Sequence, residues 1–306
     1  MAVPVTSGDP EVLVIGAGPA GLTAATYLAR FRRRVLVADG DEPRASWIPV
    51  SHNMPGFPDG ISGPHILGRM REQAREFGAQ IETGRVERLT HHGDGFIGRL
   101  NGRDVAVRAV LLATGVVDRH PDLPGVERAI QRSLVRICPI CDGYEAVDKA
   151  VAVIGDNDRG VREAAFLRTY SDRVTLIHTG PPGDLSDREA LQRLGIALVE
   201  TPIENVGIEG DRVTALGWGG RFQAFDLVYS ALGTAANATL AEALNADVDE
   251  DGRLRVNLHQ ATSVPGLYAA GDVVRGLNQI AVATAEAAVA ATDIHNRLRQ
   301  ADGLMV

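Results

Sequence analysis

The stretch that most restricts the fold is residues 11–39, "EVLVIGAGPAGLTAATYLARFRRRVLVAD". An apolar run typical of a buried strand leads into Gly16, Gly18 and Gly21, which form G-x-G-x-x-G before a helical pattern. In this context Gly16 permits the tight turn, Gly18 lets the backbone approach a pyrophosphate, and Gly21 allows close helix packing. A second apolar strand ends in Asp39, 18 residues after Gly21, near the spacing expected for a ribose contact. The segment therefore predicts a Rossmann-like dinucleotide site.

Composition limits the class of protein. The chain has 306 residues, more than one hydrophobic core usually supports, so two domains are expected. Its net charge of −8 argues against nucleic acid as the main partner. The N-terminus lacks a basic region followed by an apolar core, and the Ala-rich run near the C-terminus is broken by Glu286. We therefore expect no signal peptide, no membrane span and a cytoplasmic location.

Both cysteines of the chain, Cys138 and Cys141, lie in "CPICDGYE". In a cytoplasmic protein this spacing indicates either a redox pair or half of a metal site. A zinc site needs four ligands as a rule, and no His lies close by in the sequence to complete one. Remote ligands leave the metal alternative open, but we expect a redox pair and no metal.

Two later segments are apolar strand patterns that end in glycine, as strands at nucleotide-binding sites often do. "VLLATG" predicts a strand that ends at Gly115, and "VPGLYAAGDV" predicts one that ends at Gly271 and Asp272. An acidic residue at such a strand end can bind a ribityl chain, and the following helix can direct its amides at a flavin carbonyl. With the first glycine turn, these segments resemble the flavoproteins that have two dinucleotide-binding domains. The resemblance implies FAD as the first cofactor.

The order of the motifs narrows this resemblance. Five segments occur in the order and spacing of the low-molecular-weight thioredoxin reductase family: "GAGPAGLTAATYLAR", "HNMPGFPDGISGPHIL", "LLATG", "CPICDG" and "VPGLYAAGDV". The chain resembles this family over nearly its whole length. The resemblance implies an α/β fold with two Rossmann-like domains, a homodimer, FAD and a redox-active disulfide. We expect an FAD-binding domain of residues 1–118 and 244–306, with an inserted NAD(P)-binding-like domain of residues 119–243 that carries the cysteines.

The resemblance also assigns roles around the cysteines. It implies that Cys141 faces the flavin, that Cys138 attacks an external disulfide, and that Asp142 is the acid/base carboxylate. An Asp before a glycine also forms turns, and only the positional match favours the catalytic role. His52 and Glu145 are candidate proton-handling residues. For His52 the alternative is a histidine that only forms a hydrogen bond within its loop.

Two further positions match flavin contacts of the family. Asn53, in "HNMPG", matches an Asn that lies near the flavin ring, and a simple loop Asn is the alternative. Gln279 matches the segment that meets the pyrimidine edge of the flavin. There the sequence "GLNQIAVATAEA" departs from the family pattern.

The second nucleotide motif departs more strongly. After the strand "KAVAVIG" the chain continues "DNDRG", and the pattern as we align it needs glycine where Asn157 and Arg159 stand. The Asp156 and Asp158 side chains are expected to cap the following helix and to occupy the place of a phosphate.

The next strand lacks the residues that would hold a 2′-phosphate. NADPH-using members carry two arginines at the positions of Thr179 and Gly180. These departures predict a second domain that does not use NADPH. The segment "EPRASWIPVSHNMPG" and the pair Tyr144-Glu145 also resemble relatives without ordinary pyridine nucleotide use. Some of those accept electrons from ferredoxin, some contain a second flavin, and others oxidise small dithiols.

The sequence thus predicts an FAD-dependent thiol–disulfide oxidoreductase. Electrons would pass between flavin, the cysteine pair and an external partner, either a thioredoxin-like protein or a small dithiol or disulfide, with ferredoxin as a candidate donor. Two alternatives stay open: a dithiol oxidase that acts on a small molecule, and a non-catalytic flavoprotein that senses redox state.

Overall fold

A computed structural model describes residues 8–40, 43–121, 126–181, 183–201, 203–209 and 212–304. The chain divides into two compact units. The first extends to Ser46 and includes residues 62–117 and the chain from Ala235 onwards; the second consists of Trp47–Ile61 and Asp118–Thr234. The chain therefore returns to the first unit earlier than the expected boundary at 243, and a short segment before residue 62 groups with the second unit.

Five parallel strands form the central sheet of the first unit: β1 (Val12–Ile15), β2 (Val35–Asp39), β3 (Gln80–Thr83), β7 (Ala109–Leu112) and β18 (Leu267–Ala269). Their order across the sheet is β18-β7-β1-β2-β3. Strands β1, β2 and β7 are buried along their whole length, as expected for a parallel sheet that is covered on both faces.

Helices and a second, smaller sheet cover this central sheet. The helices are α1 (Pro19–Arg30), α2 (Gly63–Glu76), α7 (Thr239–Glu242) and α8 (Ile280–Ala301). Helix α1 packs along α8, and both present small side chains there, including Ala24 of α1 and Ala287 of α8. The second sheet is antiparallel and consists of β4 (Val86–His92), β5 (Gly95–Leu100) and β6 (Arg103–Val107).

The second unit repeats this architecture. Its parallel sheet has the order β12-β11-β10-β16-β9, with β9 (Val135–Arg136), β10 (Val151–Gly155), β11 (Val174–His178), β12 (Ala197–Val199) and β16 (Leu227–Ser230). Its helices are α3 (Val126–Gln131), α4 (Pro139–Asp142), α5 (Asp158–Leu167) and α6 (Arg188–Arg193). Its antiparallel sheet consists of β13 (Ile203–Glu209), β14 (Arg212–Trp218) and β15 (Arg221–Gln223).

The connecting strands β8 (Val116–Asp118) and β17 (Thr234–Ala236) pair with each other. In both units a strand, a glycine turn and a helix open the parallel sheet, so the prediction of an α/β fold with two Rossmann-like units is confirmed. Loops at the carboxyl ends of these parallel strands are where such folds bind ligands, and the candidate site residues lie there.

Candidate active site

The glycine turn of the first unit contains two glycines that the fold requires. Gly16 has a φ of 109°, and a Cβ added there would lie 2.3 Å from the carbonyl oxygen of Ala113. A Cβ on Gly21 would lie 1.8 Å from the carbonyl oxygen of Gly16. At Gly18 the nearest atom of the described residues to an added Cβ, apart from its chain neighbours, is Pro43 Cβ, at 3.9 Å. The described residues therefore leave open space at Gly18, as the approach of a ligand to the backbone would need.

Helix α1 begins at this turn with its N-terminal amides available. Gly18 is its N-cap residue, no side chain caps it, and its first turn contains no acidic residue. The first amides of a helix lack intrahelical partners and carry a partial positive charge, which favours a phosphate. The start of helix α8 is similar: Gln279 is its N-cap residue, the Gln279 side chain accepts no hydrogen bond from the first amides of the helix, and the first turn contains no acidic residue.

Acidic side chains stand at both ends of this edge of the sheet. Asp39, the last residue of β2, is buried and forms an ion pair with Arg71 of α2 at 2.9 Å. Asp272 lies 3.7 Å from the guanidinium of Arg44. Each arginine holds its carboxylate in one orientation, which suits a carboxylate that binds ribose or ribityl hydroxyls.

The loop before α8 is fixed by a buried carboxylate. Glu286, only 6% exposed, accepts a hydrogen bond from the backbone amide of Gly271 at 2.8 Å and a second from the guanidinium of Arg275. Gly271 has a φ of 85°, and a Cβ there would lie 3.0 Å from Ala20 Cβ in α1. Gly115, with a φ of 64°, lies three residues beyond the end of the neighbouring strand β7, which ends at Leu112 and not at Gly115 as the sequence predicted. Two open helix starts, an open backbone at the glycine turn and two oriented carboxylates fit FAD.

Gly18→Ala and Gly21→Ala should separate cofactor binding from folding. Gly18 has φ −76° and ψ −174°, which alanine adopts readily, so its variant should fold with a native melting temperature when cofactor-free. Its affinity for FAD should fall about tenfold or more, because the methyl group holds the pyrophosphate away from the backbone. Gly21→Ala should not fold, because its Cβ collides with a main-chain oxygen. Circular dichroism and FAD titration measure both; native FAD affinity in Gly18→Ala would contradict this site.

The two cysteines form a disulfide in the second unit. Cys138 and Cys141 are bonded, with their Cα atoms 5.3 Å apart. Cys138 is the extended N-cap residue of the one-turn helix α4, and the amide of Cys141 donates to the carbonyl oxygen of Cys138 at 3.0 Å. This turn brings two residues three positions apart within bonding distance. Among the described residues no group of three or more His, Cys, Asp or Glu side chains could hold a metal ion.

Asp142 follows the disulfide and has a charged partner that the sequence analysis missed. Nη1 of Arg136, the last residue of β9, lies 2.8 Å from Oδ2 of Asp142. The hydroxyl of Tyr229 on β16 donates to the backbone carbonyl of Asp142 at 3.0 Å. Burial raises the pKa of Asp142 above its ordinary value, and Arg136 opposes this shift. Burial, together with the nearby Asp142, also raises the pKa of Tyr229, so its hydroxyl stays protonated.

The remaining predicted site residues lie in two places. Glu145 follows α4 in a 3-10 turn, and its charge acts on Asp142. Its Oε2 is buried and has no hydrogen-bond partner within the described parts of the chain. His52 and Asn53 are exposed residues of the segment 47–61. Ser51 Oγ donates to Oδ1 of Asn53 at 2.9 Å. The catalytic or flavin-contacting roles of these three residues stay predictions.

The glycine turn of the second unit corrects two details of the sequence analysis. A Cβ on Gly155 would lie 2.7 Å from Cα of Gly160, so Gly160 is the close-packing glycine of the motif and the expectation of glycine at Arg159 was wrong. The cap was also misassigned: Oδ1 of Asn157, not an Asp side chain, accepts the first free amide of α5, from Arg159 at 2.8 Å.

Contacts of Asp158 and Gly180 further restrict the space for a nucleotide at this turn. Oδ1 of Asp158 accepts from the amide of Ser186 at 2.9 Å, and Oδ2 accepts from its hydroxyl. These bonds lower the pKa of Asp158, so it stays ionised. A Cβ on Gly180 would lie 2.3 Å from the carbonyl oxygen of Asp156. The position of the second expected arginine is therefore one that no larger side chain can occupy without a shift of the backbone.

No helix within the described part of the chain has the length and apolarity to cross a membrane. The two units define a protein with a Rossmann-type glycine turn in each and a Cys138–Cys141 disulfide in the second. The chain belongs to the pyridine nucleotide-disulphide oxidoreductase family, whose model matches residues 10–287, and within it to the low-molecular-weight thioredoxin reductases. These proteins bind FAD, and the chain is an FAD-dependent disulfide oxidoreductase.

Individual relatives cover nearly the whole chain. Thioredoxin reductase from Mycolicibacterium smegmatis is 32% identical over 297 residues, which span 92% of this chain and 94% of that protein. The crystal structure of HlmI matches 98% of this chain and 95% of its own at a TM-score of 0.91 and 30% identity. Thioredoxin reductase from Streptococcus pyogenes matches 96% of this chain and 100% of its own at a TM-score of 0.88 and 26% identity.

Proposed function

We propose that the chain exchanges two electrons between the Cys138–Cys141 pair and an external dithiol or disulfide, and that NADPH is not its electron donor. The observation that carries the second part is the self-capped glycine turn of the second unit. Asn157 occupies the helix start where a pyrophosphate would bind, and the ionised Asp158 adds negative charge in the first turn.

The chemistry at the cysteines is thiol–disulfide exchange. In the direction of dithiol oxidation, a substrate thiol loses its proton to Asp142 and attacks Sγ of Cys138; the bond between the cysteines breaks and Cys141 leaves as thiolate. The second substrate thiol then displaces Cys138 and its proton passes to the released Cys138 sulfur, so the substrate becomes a disulfide and the cysteine pair gains its two electrons. FAD, when bound, supplies two-electron exchange with this dithiol. In the reductive direction the same steps run in reverse.

The partner in this proposal is a thioredoxin-like protein or a small dithiol. The first is supported by the relatives, which are themselves named thioredoxin reductases. A reductive role then needs a donor other than NADPH, and reduced ferredoxin is the donor we propose. A homodimer and a cytoplasmic location complete this version of the function.

Oxidation of a small dithiol is the second candidate, and the surface beside the disulfide favours it. Three apolar side chains within residues 140–147 are exposed: Ile140 at 54%, Tyr144 at 79% and Val147 at 43%. Such a surface can accommodate an apolar dithiol. With dioxygen as acceptor, the two electrons and two protons taken from the substrate would leave as hydrogen peroxide.

The test is anaerobic titration of the FAD-loaded protein with dithiothreitol and with reduced ferredoxin, followed by steady-state turnover with thioredoxin, dithiothreitol and dioxygen. We expect flavin absorbance to bleach with dithiothreitol in a stoichiometric manner. Peroxide release on admission of air supports the oxidase, and ferredoxin-driven reduction of thioredoxin supports the reductase. Bleaching without turnover in either assay would contradict an enzyme and indicate a redox sensor.

A further inference from the structure

The two residues of the Arg136–Asp142 ion pair flank the Cys138–Cys141 disulfide in the sequence. Arg136 stands two residues before Cys138, and Asp142 directly follows Cys141. Their side chains are 17% and 25% exposed, and the 2.8 Å bond joins one nitrogen of the guanidinium to one oxygen of the carboxylate. A charge-assisted bond at this depth is screened much less by water than a surface ion pair.

Both partners keep one buried polar atom outside this bond. Nε of Arg136 and Oδ1 of Asp142 are buried and have no hydrogen-bond partner among the described residues. Buried polar atoms are normally bonded, and exceptions in a native structure tend to have a functional reason. Here the exception leaves Oδ1 as the oxygen that can take up or release a proton, while Arg136 holds Oδ2.

Two other groups face Asp142. Glu145, from the turn after α4, is a second carboxylate, and its charge opposes ionisation of Asp142. Its Oε2 is also buried, with no hydrogen-bond partner in the part of the chain that the structure describes. Tyr229, from β16, fixes the backbone of Asp142 through its hydroxyl. Helix α5 packs against α4 and carries charged residues that act on one another: Arg159, Arg162 and Glu163.

We propose that Arg136 is a positioning residue of the cysteine couple, which together with the opposing charge of Glu145 sets the protonation of Asp142 and presents its Oδ1 as the proton acceptor. The inference rests on the proposed thiol–disulfide exchange. In dithiol oxidation the proton lost by the entering thiol goes to Oδ1 and is then given to a released cysteine thiolate, so the carboxylate is restored after each turnover.

The sign of the expected pH effect follows from the charges. As a base, Asp142 must be ionised, so the oxidation rate falls as the pH drops through its pKa. Loss of the Arg136 charge raises that pKa further, because Arg136 is the strongest of the groups that oppose burial and the charge of Glu145. The acid limb of the pH–rate profile should therefore move to higher pH in Arg136→Gln, with a rate about tenfold or more below wild type at the acid end and near the wild-type rate at high pH.

The experiment compares pH–rate profiles of dithiothreitol oxidation for the full-length, FAD-loaded protein and five variants. Arg136→Gln should shift the acid limb to higher pH, Arg136→Lys should shift it little because the charge stays, and Glu145→Gln should shift it to lower pH. Arg193→Gln, the same change on an exposed arginine of α6, is the matched control and should leave the profile unchanged. Asp142→Asn should remove the limb altogether.

A second readout is independent of turnover. Infrared difference spectra against pH follow the protonated carboxyl band, and the band that disappears in Asp142→Asn belongs to this residue. Its midpoint should move with the rate profile in each variant. A uniform rate loss at all pH values in Arg136→Gln, or an unmoved infrared midpoint, would overturn the proposal.

Folding failure of one variant does not end the test, because Glu145→Gln alone must still shift the midpoint to lower pH, and an unmoved midpoint there also overturns the proposal. A wild-type protein that folds, binds FAD and neither oxidises a dithiol nor reduces a disulfide would refute the proposed function itself. That outcome differs from an active wild-type protein in which Arg136→Gln leaves the infrared midpoint of Asp142 unchanged; the second outcome refutes only the role of Arg136.

Discussion

Cys138→Ser and Cys141→Ser should each lower turnover with a dithiol or disulfide by about 10³-fold or more, because two-electron exchange needs both thiols. The two variants should nevertheless differ. If Cys141 faces the flavin, as the family resemblance implies, Cys138→Ser leaves a thiolate beside the oxidised cofactor and should develop a long-wavelength charge-transfer absorbance. Cys141→Ser should lack this band.

The second variant should instead trap its partner. Without Cys141, the mixed disulfide at Cys138 cannot be resolved, so mass spectrometry after incubation with a disulfide substrate should find a covalent adduct. Cys138→Ser should form less of it. Near-normal turnover in either single variant would mean that the disulfide is incidental, and a charge-transfer band in Cys141→Ser alone would reverse the two roles.

Micromolar NADPH or NADH should leave the flavin oxidised under anaerobic conditions. Dithiothreitol should reduce the flavin fully under the same conditions. Two missing charged contacts to the 2′-phosphate, at Thr179 and Gly180, remove about 3 to 6 kcal/mol of binding, or more than ~100-fold in affinity. The cap by Asn157 and the charge of Asp158 also oppose the pyrophosphate. Rapid bleaching by micromolar NADPH would refute this account of the second unit.

A double variant that removes the obstacles at the start of α5 tests the same explanation by restoring a reaction. Asn157→Gly with Asp158→Ala opens the start of α5, so slow bleaching by pyridine nucleotides should appear. NADPH and NADH should then be equally effective, because nothing at Thr179 or Gly180 distinguishes them. A preference for NADPH in this variant would point to a 2′-phosphate contact elsewhere. Asp187→Ala, a nearby change outside the turn, is the control.

The sequence predicted most of what local spacing determines. The glycine turn at Gly16 and the Cys-x-x-Cys motif each lie within a few residues of one strand and one helix, so their geometry follows from the pattern. The Arg136–Asp142 pair was missed, although both residues flank the cysteines, because nothing in the pattern tells which way Arg136 points from its strand. The contact from Tyr229 lies 87 residues away and depends on the order of the strands.

The misassigned cap has a similar cause. Asp156, Asn157 and Asp158 are all good cap residues, and three adjacent candidates cannot be ranked by residue type alone. Backbone conformation decides: Asn157 is extended, with a φ of −158°, and its side chain reaches back to the helix amide. Asp158 already lies in the helix and reaches Ser186, 28 residues further on. Such a tertiary partner has no signature at the helix start.

Trp47 has a consequence for the order of folding during synthesis. It belongs to the short segment that groups with the second unit, and it packs against the cluster that includes Val126, Phe225 and Val228. Val126 is made 79 residues later. At about 5 to 20 residues per second, at least ~4 s pass after Trp47 is made before the ribosome adds Val126, the first residue of that cluster in the sequence. The second unit therefore depends on a side chain from outside its main segment. A fragment of residues 118–234 should fold poorly because it lacks this side chain.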